Sequence, residues 1–259
     1  MSNNKNRYAE LEAALGTIGV GLKLFDITDS TNNEAKQYAS HGAHSPVLFL
    51  AEEQSGGRGR LGRSFSSRRG CGIYMSLLCF TDSPLSDIVS VTTAAAVAVA
   101  LSVEETTKSR MSIKWVNDVY NDRGKVAGIL TETVSVSGKN AVIVGIGINI
   151  GNESFPDEIK GIASSVGDVS GKENKLIMST VKRLLSFFAS PADRSYMLAY
   201  RQRAMMIGEH VELYSCGEIL DSGRALGIDD DGGLLFLPDG KSEVTVIRSG
   251  EISLKKKQC

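Results

Sequence analysis

Residues 111–149 run through three apolar, strand-like segments, MSIKW, KVAGILTETV and AVIVGIGIN, with only short interruptions between them. That spacing limits the fold more than any other feature. Parallel neighbours need a crossover of a dozen or more residues, whereas antiparallel neighbours can be joined by a tight turn. Residues 121–124 (NDRG) and 137–138 (SG) are turns of this kind, rich in Asn, Asp, Ser and Gly. The segments are therefore expected to pair antiparallel. A doubly wound parallel sheet, which alternates strand and helix regularly, is excluded.

The flanking sequence completes an α+β pattern. Tyr8, Leu11, Leu15 and Ile18 recur at helical spacing over 8–18, and LKLFDIT (22–28) follows as a strand. Thr31 and Glu34 fit a capping box, which predicts a helix starting at Ser30 or Thr31. VLFLAE (47–52) and GIYMSLLCF (72–80) read as strands, 85–107 as a long helix with a small-residue face, 151–170 as a loop, and 173–190 and 192–204 as helices. After Gly208 short alternating runs are divided by Asp231-Gly232-Gly233 and Asp239-Gly240, the signature of hairpins in a small all-β unit. The expected division is residues 1–205, a mixed, mostly antiparallel sheet with helices, and residues 206–259, a small β-barrel.

Composition removes several function classes. Lys and Arg total 29 against 30 Asp and Glu, so a uniformly basic nucleic-acid binder is not expected. No run of 18 uncharged apolar residues predicts a membrane span, and the first fifteen residues lack a signal-peptide core. Cys71, Cys79, Cys216 and Cys259 form no C-x-x-C pair and read as reduced thiols of a cytoplasmic protein, without structural zinc.

Chemistry concentrates in two places. Residues 54–63, QSGGRGRLGR, hold four glycines and three arginines. Glycine lets backbone approach a ligand, and arginine presents a permanent planar cation suited to phosphate or carboxylate. The segment reads as an anion-binding loop, or as a solvated linker. Gly57-x-Gly59-x-x-Gly62 is not a dinucleotide fingerprint, because no helix opens after it. Gly145 and Gly147 read first as close backbone contacts in a core strand. The second place is Lys114-Trp-Val-Asn-Asp118 with Lys125-Val-Ala-Gly128. Lysine within an apolar strand is rare unless paired, so Lys114 and Lys125 are candidates for an anionic ligand, although either alone could snorkel at a sheet edge. Asn117 and Asp118 could simply form a turn. His41 and His44 read as surface residues, and residues 229–233 as a hairpin rather than a calcium loop.

Taken in order, Asp29-Ser-Thr-Asn32, Gln54-x-x-Gly-Arg-Gly-Arg-x-Gly-Arg63, Lys114-Trp-x-Asn-Asp118, Lys125-x-Ala-Gly-Ile-Leu130 and Gly145-Ile-Gly-Ile-Asn149 resemble biotin protein ligase, over roughly residues 22–150. The tail, with Gly227-Ile-Asp and Gly250-Glu-Ile-Ser-Leu, is similar to that family's C-terminal barrel. The chain departs from the family at Val116, where proline is usual, and at Phe65, where tryptophan is frequent. Too few residues precede Ser30 for a winged-helix DNA-binding domain, so the resemblance is to the monofunctional type.

The resemblance implies a class II synthetase-like catalytic domain and an SH3-like barrel. It implies activation of biotin by ATP with Mg²⁺ to biotinyl-5′-AMP, then transfer to a lysine of a biotin carboxyl carrier domain. Lys125, Arg60 and Asp118 are the expected catalytic residues. Ser30, Thr31, Asn32, Gln54, Arg58, Gly59, Arg60, Lys125 and Gly128 are expected at biotin, and Arg58, Arg63, Phe65, Lys114, Asn117 and Asn149 at ATP. The expected partner is the carrier protein, with no nucleic acid and no membrane, and the expected state a monomer or weak homodimer. A lipoate-type ligase of the same fold, or a non-enzymatic biotin- or nucleotide-binding regulator, are the alternatives.

Overall fold

Eight strands form one sheet in the order β1-β2-β3-β7-β6-β5-β4-β8. They are β1 Gly21–Phe25, β2 Val47–Ala51, β3 Gly72–Thr81, β4 Ser112–Lys114, β5 Asp118–Tyr120, β6 Lys125–Val136, β7 Lys139–Asn149 and β8 Ala204–Met205. The structure, a computed structural model, describes residues 7–42, 44–81, 88–136, 139–151, 155–215, 217–248 and 253–256. Among the described strands β1–β2 and β4–β8 pair parallel; β6 and β7 run antiparallel as the sequence spacing demands. The 137–138 turn, the start of the 85–107 helix, residues 250–252, Cys216 and Cys259 lie outside the described residues.

Alternation along the strands sorts side chains onto two faces. Leu48, Leu50, Met75, Leu77, Ile129, Val144, Ile146 and Ile148 enter the main core. Against it pack α1 (Ala9–Gly16), α3 (Ile88–Thr107), α4 (Glu173–Ala189) and α5 (Tyr196–Arg203). In α4 the buried Leu176, Ile177, Thr180, Val181 and Leu184 form one stripe. The small residues of α3, Ala95, Ala96, Val99 and Ala100, are fully enclosed. By length and composition Val89–Thr107 is apolar enough to cross a membrane, yet 72% of it is buried inside the protein. On the opposite face α2 (Thr31–Ser40) covers the sheet, through Ala35 and Ala39 on Phe49, Leu78 and Ile143.

Two local expectations change. The helix α2 begins where expected, with Ser30 as N-cap, but no capping box forms. Glu34 accepts a hydrogen bond from Thr28 Oγ1 at 2.7 Å, and Thr31 turns its hydroxyl towards Gln54 and Ser76 instead. Further on, β4 does not lead straight into β6. Residues 115–117 reverse the chain, and β5 is inserted antiparallel to both. Asn117 and Asp118 read as turn formers, which hid a strand of three residues. The Trp115–Val116 peptide bond, at the position of the resemblance's proline, is cis.

The tail forms a five-stranded antiparallel sheet, β12-β11-β10-β9-β13, from β9 His210–Ser215, β10 Glu218–Ile228, β11 Leu234–Pro238, β12 Thr245–Ile247 and β13 Ser253–Lys256. Its Val211, Leu213, Ala225, Ile228, Leu234 and Phe236 join the same hydrophobic cluster as the large sheet. The hairpin at Gly232 (φ 86°, open to glycine at little cost) sits against Thr93 of α3, and its carbonyl accepts a hydrogen bond from Trp115 Nε1 at 2.9 Å.

Candidate active site

The open face of the sheet carries a cleft of about 50 Å³. Strand alternation explains its floor. Ile129 points to the core, so Gly128, Leu130 and Glu132 of β6 face α2, beside Gly145 and Gly147 of β7 and Ser76 of β3. The register aligns Ser76 with Gly145 and Leu130, and Gly147 with Gly128. Where side chains would fill the face, these glycines leave a trough. A Cβ on Gly145 would lie 2.2 Å from Asn32 Oδ1, and one on Gly147 only 2.4 Å from the Phe65 ring. The close-contact reading of the Gly145-x-Gly147 pair therefore holds, and the approaching groups are themselves candidate site residues.

The wall comes from α2. Ser30, Thr31 and Asn32 are 3%, 3% and 4% exposed and line the cleft. Gln54 Oε1 accepts from Thr31 N at 2.9 Å and from Thr31 Oγ1 at 3.1 Å, while Gln54 Nε2 donates to Ser67 Oγ at 2.8 Å. Ser76 Oγ, fully buried, lies 2.6 Å from Asn32 Oδ1 and 2.7 Å from Thr31 Oγ1.

The 54–63 loop forms the lid. Its start is fastened to the segment between β1 and α2 by Ser55 N and Gly56 N, which donate to Thr28 O and Asp29 O at 2.9 Å. It returns through hydrogen bonds from Gly59 N to Arg63 O and Phe65 N to Gly57 O, around a single 3₁₀ turn at Arg60–Gly62. Arg60 is thereby folded inward and donates from NH1 to Asn117 Oδ1 at 2.7 Å, and Asn117 Nδ2 donates to Ile129 O. Burial pulls the Arg60 guanidinium below its ordinary pKa, against the attraction of Asp118. Arg58 stays at the exposed rim.

At the opposite end stands Lys125, whose Nζ lies 2.7 Å from the buried Asp118 Oδ1. Its backbone is locked by bonds from Lys125 N to Ile162 O and from Ser164 N to Lys125 O, both 2.8 Å. Asn149 Nδ2 donates to Ser164 O at 2.9 Å and reaches Lys125 O at 3.4 Å.

The cleft thus unites Ser30, Thr31, Asn32, Gln54, Arg58, Gly59, Arg60, Phe65, Asn117, Lys125 and Gly128 of the residues expected from sequence. Arg63, Lys114, Asp118 and Asn149 do not line it: Arg63 is exposed at the loop's end, Lys114 pairs across β4–β5 with Asp118, and Asn149 braces Lys125 from behind. Ser76, Ser67 and Glu132 were missed. A serine inside the apolar run IYMSLLCF is the one signal that pointed to Ser76. Among the described residues no three His, Cys, Asp or Glu side chains converge as a metal site.

Comparison with known proteins follows the same outline. The profile of the Biotin/lipoate A/B protein ligase family matches residues 24–149, and that of the Biotin protein ligase C terminal domain matches residues 206–255. The bifunctional ligase/repressor BirA of Bacillus spizizenii is 34% identical over 259 residues, covering 95% of this chain and 78% of that protein. The chain belongs to the biotin protein ligase family. The biotin–[acetyl-CoA-carboxylase] ligase of Mycobacterium tuberculosis is 29% identical, with 90% of each chain covered. The biotin protein ligase of Aquifex aeolicus, solved in complex with biotin and ATP, superposes with a TM-score of 0.76 at 29% identity, over 91% of this chain and 99% of that one. Every residue lining the cleft falls inside the ligase-family match.

Proposed function

We propose that this biotin protein ligase condenses biotin with ATP to biotinyl-5′-AMP in the cleft and then transfers the biotinyl group to a lysine of a biotin carboxyl carrier domain. The observation that carries the reading is the division of the cleft. One end is neutral and holds both donors and acceptors, from Ser30, Thr31, Asn32 and Gln54, which suits a urea ring. The other end receives two cations, Arg60 and Lys125, from separate elements.

In the first step a biotin carboxylate oxygen attacks the α-phosphorus and pyrophosphate leaves. Both reactants are anionic, so fixed cations are the main requirement. Lys125 supplies a compact charge between carboxylate and phosphate, and Arg60 a planar fork that retains the adenylate. Phe65, lying on the Gly128–Gly147 pair, offers a flat face to adenine. Arg63, Lys114, Asn117 and Asn149 serve the nucleotide, Lys114 and Arg63 towards its triphosphate. In the second step the acceptor amine attacks the acyl carbon, AMP leaves, and the amine gives up a proton; Asp118, behind the cleft wall and paired with Lys125, is our candidate to orient or accept it once Lys125 turns to the phosphate. Among the described residues no cluster of carboxylates would hold Mg²⁺ by itself; arriving with the nucleotide, it would supply further positive charge at the phosphates. We take residues 1–205 as the catalytic domain and 206–259 as the barrel, in a cytoplasmic enzyme whose Cys71 and Cys79 are not joined in a disulfide.

The test is to incubate the protein with Mg·ATP and either biotin or lipoate, then measure the AMP-linked product and label on a carrier domain. Adenylate and carrier label with biotin alone support the reading. Product with lipoate alone, or binding without pyrophosphate release, refutes it.

A further inference from the structure

Glu132 sits where α2, the 54–63 loop and β6 meet, yet it belongs to none of the motifs in the sequence. It lies on β6 between Thr131 and Thr133, opposite Ile143. Its carboxylate accepts from Asn32 Nδ2 at 2.8 Å, Lys36 Nζ at 2.6 Å and Arg58 NH2 at 3.1 Å. Two of these donors come from α2 and the third from the 54–63 loop. Arg58 NH1 donates at the same time to Asn33 Oδ1 at 2.8 Å, so the arginine bridges helix and strand.

An ionised carboxylate can only accept hydrogen bonds. Asn32 therefore turns Nδ2 to Glu132, at 2.8 Å, and to Leu130 O, at 3.3 Å, and leaves Oδ1 facing Ser76 Oγ, 2.6 Å away. Ser76 has one proton, and Oδ1 takes it. The Ser76 oxygen can then only accept from Thr31 Oγ1, at 2.7 Å, or leave Thr31 to donate to Gln54 Oε1 at 3.1 Å. The Glu132 carboxylate, with the Leu130 carbonyl, thus sets the direction of the hydrogen bond between Asn32 and Ser76. Burial works to raise the Glu132 pKa, but the hydrogen bonds from Lys36 and Asn32 and the charges of Lys36 and Arg58 prevail and hold it below its ordinary value.

We propose that Glu132 is a positioning residue for the ligase reaction: it orients the Asn32 amide in the biotin end of the cleft and, through Arg58, clasps the 54–63 loop to the sheet. The proposal rests on the biotin reading of the cleft. Glutamine has the same shape but presents a donor as well as an acceptor, so Glu132→Gln leaves the Asn32 amide held only by its longer bond to Leu130 O, at 3.3 Å, and removes the charge that holds Arg58. Glu132→Asp keeps the charge one methylene short.

The experiment compares wild type, Glu132→Gln and Glu132→Asp in two assays. One is pyrophosphate release with biotin varied. The other is limited trypsin digestion of the ligand-free proteins, read by mass spectrometry at Arg58, Arg60 and Arg63. The melting temperature of each variant checks that it is folded. Glu132→Gln is expected to raise KM for biotin about tenfold, the scale of one lost charge-assisted hydrogen bond, with kcat within about twofold. It should also speed cleavage at the loop arginines severalfold, with Glu132→Asp intermediate in both assays. Wild-type KM and cleavage rates in both variants would overturn the proposal. So would a loss confined to kcat, which is the mark of direct participation. If the wild type forms no biotinyl-adenylate, the biotin reading fails, while the ligand-free digestion still decides the clasp.

Discussion

Gly147→Ala is the sharpest test of how the cleft is built. Gly147 lies mid-strand on β7, opposite Gly128, with the Phe65 ring laid across it. An alanine Cβ would stand 2.4, 2.6 and 3.0 Å from Phe65 Cε1, Cζ and Cδ1. Carbon atoms sit comfortably at roughly 3.5–4.0 Å, so the ring must withdraw by about 1 Å. Phe65 cannot do this by sliding its backbone, because its N–H is bound to Gly57 O at 2.8 Å and its carbonyl to Ser67 Oγ at 3.1 Å. The ring must rotate instead, against Tyr74, whose centroid is 6.5 Å away. Overpacking of this kind costs about 1–3 kcal/mol. For a chain of this size that is a fall of roughly 2–10 °C in melting temperature. Nucleotide affinity should fall with it, since the displaced ring is the proposed adenine platform. The decisive control is the Phe65→Ala background. There the space is open, and alanine gains about 0.5–1 kcal/mol over glycine in a strand interior, so Gly147→Ala should turn neutral or stabilising. Thermal denaturation of the four proteins of this cycle gives the answer. Equal destabilisation by Gly147→Ala in both backgrounds would show that Phe65 is not what the glycine accommodates.

Lys125→Ala should lower pyrophosphate release about 10²–10³-fold, the scale of one lost preorganised contact to a developing charge, with circular dichroism unchanged; wild-type release by the folded variant would remove Lys125 from the chemistry. Arg60→Gly should release biotinyl-adenylate and label lysines on bystander proteins, measured by streptavidin blot, and labelling confined to the carrier domain would count against retention by Arg60. Trp115→Phe keeps the ring but takes the indole donor from Gly232 O, and should cost about 1–3 kcal/mol in urea unfolding; an unchanged midpoint would deny that bond its weight. Because the folded Glu132 pKa lies below its ordinary 4.5, its stabilisation is complete above that value and is lost as pH falls through the folded pKa. The melting-temperature advantage of wild type over Glu132→Gln should therefore be full at about pH 6 and shrink below about pH 4.5; a gap that widens on acidification would contradict the sign.

What could be read from sequence was what depends on neighbours along the chain. Turn spacing gave the β6–β7 hairpin, and periodicity gave α4 within a residue at each end, Glu173–Ala189 against 173–190. The loop arginines and Lys125 were visible because charge beside glycine or inside an apolar strand conflicts with local rules. The β5 strand was not, since Asn117 and Asp118 have turn chemistry and only the bond from Asn117 Nδ2 to Ile129 O shows what they do. Glu132 was out of reach for the same reason. Alternation says which face it occupies, but its partners lie 74 to 100 positions away, at Arg58, Lys36 and Asn32.

Trp115 belongs to the same short motif as Lys114 and Asn117, yet its side chain reaches Gly232, in the tail. Arg201, at the end of α5, likewise donates to Ile228 O at 2.8 Å. The two stretches matched by separate family profiles are therefore not interchangeable modules. A chain cut after β8 would bare the indole, now 4% exposed, at the reversal that sets Asn117 against Arg60. Shortening this protein to a minimal ligase would remove the abutment on which the 115–117 reversal rests, and a tail grafted from a relative would need a hairpin that presents a carbonyl where Gly232 does.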